Sequence, residues 1–382
     1  MRKIACAVLG APCVFAGAAG AQEPAELARP VNFSLSYTAD VIGVVGGGLA
    51  RRGRFLDNLD LVMDADLERA FNWRGASAHI DVLNNSGGRP NDDAGTLQGV
   101  DNIEVPSQRL RLFEAWVEQS FGDSSLRLGL YDLNSEFYAN DSAGLLIAPA
   151  FGIGSEVAAT GSNGPSIFPS TALAARYHVQ FGNDLYARAA ILNADAGVLG
   201  DPGGVDFSFD GGALLIAEGG VEGSRKLAFG AWRYTRRQDD IRDPARRIAQ
   251  GAYFVYEQPL NGSKSEHPTR AFFRAGVSDG ETTPFAGGWQ AGVLIERVFE
   301  GRPDSELSFG FNQGILSDSY RQNQIDLGAP MGRSELQIEI TYADKISPHV
   351  TVQPDLQWIR RPSGDRSIEE ALMAGLRVSV EL

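Results

Sequence analysis

From Ser334 onward the chain alternates apolar and polar residues with a period of two. In SELQIEITYADKI, Leu336, Ile338, Ile340 and Tyr342 share one face, and Glu335, Gln337, Glu339 and Thr341 share the other. HVTVQPDLQWIR sets Val350, Val352, Leu356 and Trp358 against Thr351, Gln353, Asp355 and Gln357. ALMAGLRVSVEL sets Leu372, Leu376, Val378, Val380 and Leu382 against Arg377, Ser379 and Glu381. In an extended chain, each set lies on one face of a sheet. Helical periodicity is sparse, and short alternating segments recur throughout. They predict sixteen strands, near 31–43, 54–68, 72–83, 108–121, 124–132, 170–181, 184–193, 211–221, 226–236, 250–258, 269–278, 287–299, 305–314, 334–344, 349–359 and 371–382.

The connections alternate in length. Short turns fall around Asn72 and at 121–124, 181–184, 221–226, 300–304 and 345–348. Long polar connections fall at 84–107, 133–169, 194–210, 237–249, 315–333 and 360–370. Outer-membrane barrels have this design, with an even strand number, short periplasmic turns and longer outer loops. A Greek-key sandwich gives no reason for it. The predicted fold is therefore all-β: a 16-stranded antiparallel transmembrane β-barrel with long extracellular loops and short periplasmic turns. A barrel of that size leaves an aqueous channel instead of a packed side-chain core. Two connections depart from the pattern: 259–268 is long for its place and 44–53 is short.

The longest connection, 133–169, is rich in Gly, Ala, Ser and Pro and opens on the polar run Asp132-Leu133-Asn134-Ser135-Glu136. Loops of this length are commonly functional. It is expected to fold inward and constrict the pore, with Asp132, Asn134 and Glu136 as its anchor and Ile147, Phe151, Ile153 and Phe168 packing it against the wall.

The N-terminus reads as a signal peptide, residues 1–21: basic Arg2 and Lys3, an uncharged mostly apolar run, and Ala19-Gly20-Ala21 as the cleavage site. That leaves 22–382 as a single barrel domain. Both cysteines, Cys6 and Cys13, fall within the leader, so no disulfide or thiol chemistry is expected in the mature chain. The mature chain carries 32 Lys/Arg against 48 Asp/Glu. That balance excludes nucleic acid as a partner, because such binding is driven by neutralising phosphates. Beyond the leader there is no apolar run of 18 residues to form a spanning helix.

Several segments carry a family resemblance: DLVMDADLERAFNWRG (60–75), LRLGLYDLNSEF (126–137), PSIFPSTALAARY (165–177), VTVQPDLQWIRRPSG (350–364) and ALMAGLRVSVEL. Their order and content resemble the carbohydrate-selective porins of the OprB type, which carry a D-x-N-x-E-F-like run after the fifth strand and Q-P-D-L-Q near the end. The chain departs from many such barrels in ending on Leu382 instead of an aromatic residue. The resemblance implies a sixteen-stranded barrel in the outer membrane of a Gram-negative bacterium and passive diffusion of mono- or small oligosaccharides.

A sugar pore needs lining donors and acceptors, not a catalyst. Arg109, Arg111, Arg127, Arg188, Arg274 and Arg377 sit in alternating strands between apolar neighbours. An Arg facing lipid at mid-membrane costs about 2–4 kcal/mol, so these are expected to face the lumen. Glu114, Trp116 and Glu118 are expected to join them as pore-lining or sugar-binding groups. DPGGVDFSFDGG at 201–212 places Asp201, Asp206 and Asp210 in one loop, without EF-hand spacing. His79, His178, His267 and His349 lack metal spacing, and no G-x-S-x-G or P-loop occurs. No catalytic residue, metal or cofactor is assigned. The expected partners are sugars as transported solutes, outer-membrane lipid and a homotrimeric assembly of the chain. The alternatives are a general small-solute or anion-preferring porin, an adhesin or structural barrel, and an outer-membrane enzyme, for which no Ser–His pair is evident.

Overall fold

The structure is a computed structural model and describes residues 29–161, 164–262 and 265–382. The expected signal peptide lies outside them. The strands are β1 (Val31–Gly46), β2 (Gly53–Asp66), β3 (Ala76–Gly87), β4 (Arg109–Phe121), β5 (Ser124–Tyr131) and β6 (Ala172–Phe181). They continue with β7 (Leu185–Asn193), β8 (Ala213–Glu222), β9 (Lys226–Tyr234), β10 (Gln238–Asp239), β11 (Arg246–Arg247) and β12 (Gln250–Pro259). The last are β13 (Thr269–Ser278), β14 (Phe285–Glu296), β15 (Glu306–Leu316), β16 (Ser334–Ser347), β17 (Val350–Arg360) and β18 (Ala371–Glu381). All but β10 and β11, which form a small hairpin of their own, close into one antiparallel barrel of sixteen strands. β1 pairs with both β2 and β18, so the sheet has no free edge.

Connections at the end of the barrel that carries the chain termini are short, down to two residues between β4 and β5. At the other end lie 88–108, 132–171, 194–212, 235–249, 317–333 and 361–370, with two short exceptions at 47–52 and 279–284. The alternation read from sequence is therefore present. β3 starts four residues later than expected because α1 (Leu67–Phe71) fills the turn. The Asp66 side chain accepts from Arg69 N at 3.0 Å to cap this helix, and Asn72 ends it at φ 59°. Short helices α2 (Pro90–Ala94) and α3 (Ser155–Ala158) and the nine-residue α4 (Asp318–Asp326) sit within long connections.

The outer face is apolar and exposed, as at Phe33, Val41, Phe55, Leu61, Leu128, Phe229, Leu356 and Leu376. The inner face departs from the sequence reading. Glu335, Gln337, Glu339 and Thr341 were expected to line a wet lumen, yet each is at most 1% exposed. Connections 88–108 and 132–171 fold onto this wall and cover it. Inward positions that keep exposed surface include Ser36, Thr38, Asp60, Ser77, Glu118 and His178 on β1 to β4 and β6, and Arg377 and Ser379 on the neighbouring β18. The open passage therefore runs along that side.

A β-bulge in β4 shapes this passage. Asp81 pairs with Glu114 while Val82 pairs with Leu112, which leaves Phe113 as the extra residue. The bulge flips the alternation. Arg109 and Arg111 face inward before it, and Glu114, Trp116 and Glu118 face inward after it.

Candidate constriction and its anchors

The turn after β5 is built by its own side chains. Asp132 accepts from Asn134 N at 2.8 Å, and Ser135 Oγ donates to Asp132 O at 2.7 Å. Asn134 Nδ2 reaches forward to Phe137 O at 3.3 Å and Gly152 O at 3.2 Å. Asx side chains organise turns in this way. The result aims Glu136 at the wall, where it accepts from Tyr131 OH at 2.6 Å and from Arg176 Nη2 at 2.8 Å.

Arg176 and Arg127 stand side by side on β6 and β5. Glu118 lies 2.7 Å from Arg127 and 3.0 Å from Arg176, and Glu136 lies 3.6 Å from Arg127. The Arg127 guanidinium rests on the Trp116 ring at 3.8 Å, and His79 stacks on the same ring at 4.9 Å. Two guanidiniums thus alternate with two carboxylates beside an indole. The water-facing edge belongs to the carboxylates, whose side chains are 16% (Glu118) and 18% (Glu136) exposed against 6% for Arg127 and 2% for Arg176. Burial alone would raise the Glu136 carboxyl. Arg127, Arg176 and Arg188 outweigh it and hold the group at about 2. Arg176 was missed from sequence. It sits between Ala175 and Tyr177, so the rule that selected the other arginines would have found it.

The remaining candidates lie in separate places. Arg111 pairs with Asp201 at 2.9 Å, and Arg109 approaches the same carboxylate at 3.8 Å. Asp201 also accepts from Ser170, while Asp206 holds Asn193 and Ser208. The 201–212 loop thus ties to β4, and among the described residues no cluster of three metal-ligating groups occurs. Arg188 meets Glu218 at 2.6 Å, and Arg377 meets Asp40 at 2.7 Å and Asn102 at 2.7 Å. Glu114 accepts from Trp116 Nε1 at 3.2 Å and from Asp132 N at 2.8 Å, so it braces the turn. Arg274 departs most from its expected place. It is fully buried, and its two terminal nitrogens donate to loop carbonyls.

Irregular backbone inside a barrel needs partners for its polar groups, and the wall supplies them. Glu218 accepts from Tyr138 N at 3.0 Å, Glu257 from Ser142 N at 3.0 Å, and Glu339 from Ala148 N at 3.0 Å and also from Ile147 N. Gln353 donates to Leu145 O at 2.7 Å. In the other inward connection, Glu335 accepts from Leu97 N and Gln98 N, both at 3.0 Å, and Gln357 donates to Val100 O at 2.8 Å. Phe151 packs edge-on against Phe272, Phe168 meets Phe113, and Ile153 joins the large inner cluster around Tyr138 and Tyr253. Sequence reasoning missed these glutamates and glutamines because their alternating polar pattern suits a solvated wall equally well.

A closed sixteen-stranded barrel, apolar outside, with a long connection seated against its inner wall, defines an outer-membrane porin. The family described as carbohydrate-selective porin, OprB family, matches residues 50–382, and the chain belongs to it. Porin B of Pseudomonas aeruginosa is 23% identical over 409 residues, covering 94% of this chain and 89% of that protein. The putative porin QuiX of Acinetobacter baylyi is 28% identical over 119 residues, 27% of each chain. In fold, the chain is similar to the high-pH structure of Pseudomonas putida OprB, with a TM-score of 0.84 and 21% identity over 92% of this chain and 94% of that one. An anion-selective porin from Comamonas acidovorans shares the fold at a TM-score of 0.56, with 11% identity over 92% of this chain and 99% of that one. The protein belongs in the outer membrane of a Gram-negative bacterium.

Proposed function

We propose that the protein is a passive carbohydrate-selective porin for mono- and small oligosaccharides. In this reading Glu118 and Glu136 form the solute-contacting edge, and the buried Trp116, Arg127 and Arg176 hold them in place. The observation that carries it is the four-membered Arg–Glu network laid against an indole, with its carboxylate edge facing the open side of the lumen. Fixed carboxylates accept hydrogen bonds from sugar hydroxyls, and the planar guanidinium forks keep them fixed. Selectivity then follows from bore, lining groups and field. Residues 132–171 act as the constriction.

The pairing of the arginines weighs against an anion-preferring pore. Arg109, Arg111, Arg127, Arg176, Arg188 and Arg377 each have a carboxylate within 3.8 Å or less. Asp60 and Asp64, which keep exposed surface on β2, have no Arg or Lys partner among the described residues. The lumen field is accordingly negative.

The test is planar-bilayer recording of the purified protein with graded sugar. A sugar-dependent fall in current is expected, and deletion of residues 140–160 should enlarge the conductance and abolish that fall. Sugar-insensitive current in the parent protein would sink the carbohydrate reading. Unchanged behaviour of the deletion would sink the role of the loop.

The outer face is read as meeting lipid except over β1 to β3. There Asp57 sits on the apolar side and is satisfied by Tyr37 OH at 2.9 Å and Ser86 Oγ at 2.6 Å. We assign that face to self-association in a homotrimer.

A further inference from the structure

We propose that Arg274 is a positioning residue of the channel. It sets the width of the passage by fastening both ends of the inner lobe, residues 138–152, to β13, and through them it holds Glu136 in place. This rests on the reading of 132–171 as the constriction.

Arg274 has no exposed surface. A guanidinium removed from water is costly unless its donors are satisfied, and among the described residues no carboxylate pairs with it. Loop carbonyls serve its two terminal nitrogens instead, while Nε makes no hydrogen bond among the described residues. Nη1 donates to Tyr138 O at 2.8 Å and to Gly152 O at 2.7 Å. Nη2 donates to Phe151 O at 2.5 Å and to Ala150 O at 3.3 Å. Tyr138 opens the lobe, and residues 150–152 close it. One planar fork therefore ties two chain segments that are twelve or more residues apart in sequence. The Ala150, Phe151 and Gly152 carbonyls follow the short 3₁₀ turn Pro149–Phe151, where no further helical turn supplies donors.

The link to the solute-facing side runs through Gly152. Its carbonyl accepts from Arg274 and also from Asn134 Nδ2 at 3.2 Å. Asn134 belongs to the turn that aims Glu136 at Arg176. Displacing the Gly152 carbonyl therefore loosens the turn and shifts the Glu136 carboxylate. The wall is shaped for this seat. Gly276, two residues along β13, leaves room for Tyr138 and Glu156, and any Cβ there would collide with both. A single ammonium on a Lys stem lacks the planar fork needed to hold four carbonyls in two directions.

The experiment uses the full chain inserted in bilayers, with Arg274→Gln and Arg274→Lys beside the parent. Hydrogen exchange over 138–152 reads the fastening, and single-channel conductance reads the bore. With Arg274→Gln, amide protection over 138–152 should fall by about tenfold or more while the barrel strands keep theirs. Open-channel conductance should rise, and the sugar concentration for half-block should rise with it. Arg274→Lys should fall between, and it is read in the same way where Arg274→Gln yields no barrel. Unchanged protection over 138–152 overturns the proposal, whatever the current does. A parent current indifferent to sugar would sink the carbohydrate reading but leave the exchange result to decide the role of Arg274.

Discussion

At the scale of single residues, charge in this lumen is organised by pairing. Glu136 is the clearest case, since three guanidiniums hold its carboxyl at about 2 against the opposing effect of burial. An unfolded glutamate titrates near 4.3, so the folded group is the stronger acid. Its contribution to stability is complete above that value and is lost as pH falls through about 2. Sugar-dependent block is therefore expected to be constant from pH 7 to about 5 as far as Glu136 is concerned. Loop protection should decline only below about pH 4. Hydrogen exchange over 132–152 across that range checks it, and a loss centred near pH 6 would assign the control to another group. Glu136→Gln leaves Arg127 and Arg176 sharing Glu118. Breaking a buried pair costs about 3–5 kcal/mol, and Glu118 should reduce that figure here. The same substitution should move the reversal potential in a KCl gradient toward anion preference.

Among the elements, the inner lobe and the bare stretch of wall beneath it form one design. Gly310 on β15 lies directly under Leu146 and Phe151. A Cβ at that position would stand 2.6 Å from Leu146 Cδ1 and 2.7 Å from Phe151 Cε1. Gly310→Val is accordingly expected to cost about 1–3 kcal/mol by overpacking. Exchange should be faster over 145–152, with the barrel retained on gels. If Gly310→Val leaves those amides as protected as before, the lobe does not seat on β15. The bulge in β4 belongs to the same scale. Were Phe113 paired in a regular strand instead of bulged, Arg111 and Glu118, seven positions apart, would face opposite sides of the sheet. Deleting Phe113 should therefore remove the bulge but keep Glu114, Trp116 and Glu118 on the inner face, with the Arg–Glu network and sugar block retained; loss of sugar block would show that the bulge itself is required.

For the whole molecule, closure between β1 and β18 removes every edge of the barrel sheet, and the exterior it presents is apolar. Asp57 breaks that exterior between Phe55 and Leu59 on the same face of β2. A carboxylate is cheaper at a subunit contact than against acyl chains. The protein extracted in mild detergent is expected to have the mass of three chains, and Asp57→Lys should lower it by setting like charges near the contact. A single-chain mass for the unaltered protein would overturn the assignment.

The strand count and its alternation, the outward and inward faces of β16 to β18, and the polar turn after β5 were all legible in the chain. Each rests on local periodicity or on side chains that bond their own neighbours. Asp132, Asn134 and Glu136 could be singled out because an Asx turn is written in consecutive residues. The partners of these local features were not legible. Glu335 and Glu339 carry the same polar alternation as a wetted wall, and only the packed connections show that they accept loop N–H groups. Arg274 reads like any other inward arginine until Tyr138 and Gly152, more than 120 positions away, are placed on it. Sequence by itself determined that there is a barrel, which way its faces point and which loop is long enough to enter it. Tertiary structure alone decided where that loop seats, which side of the lumen stays open and which charges face it. Those outcomes depend on contacts between distant segments, and no local pattern encodes them.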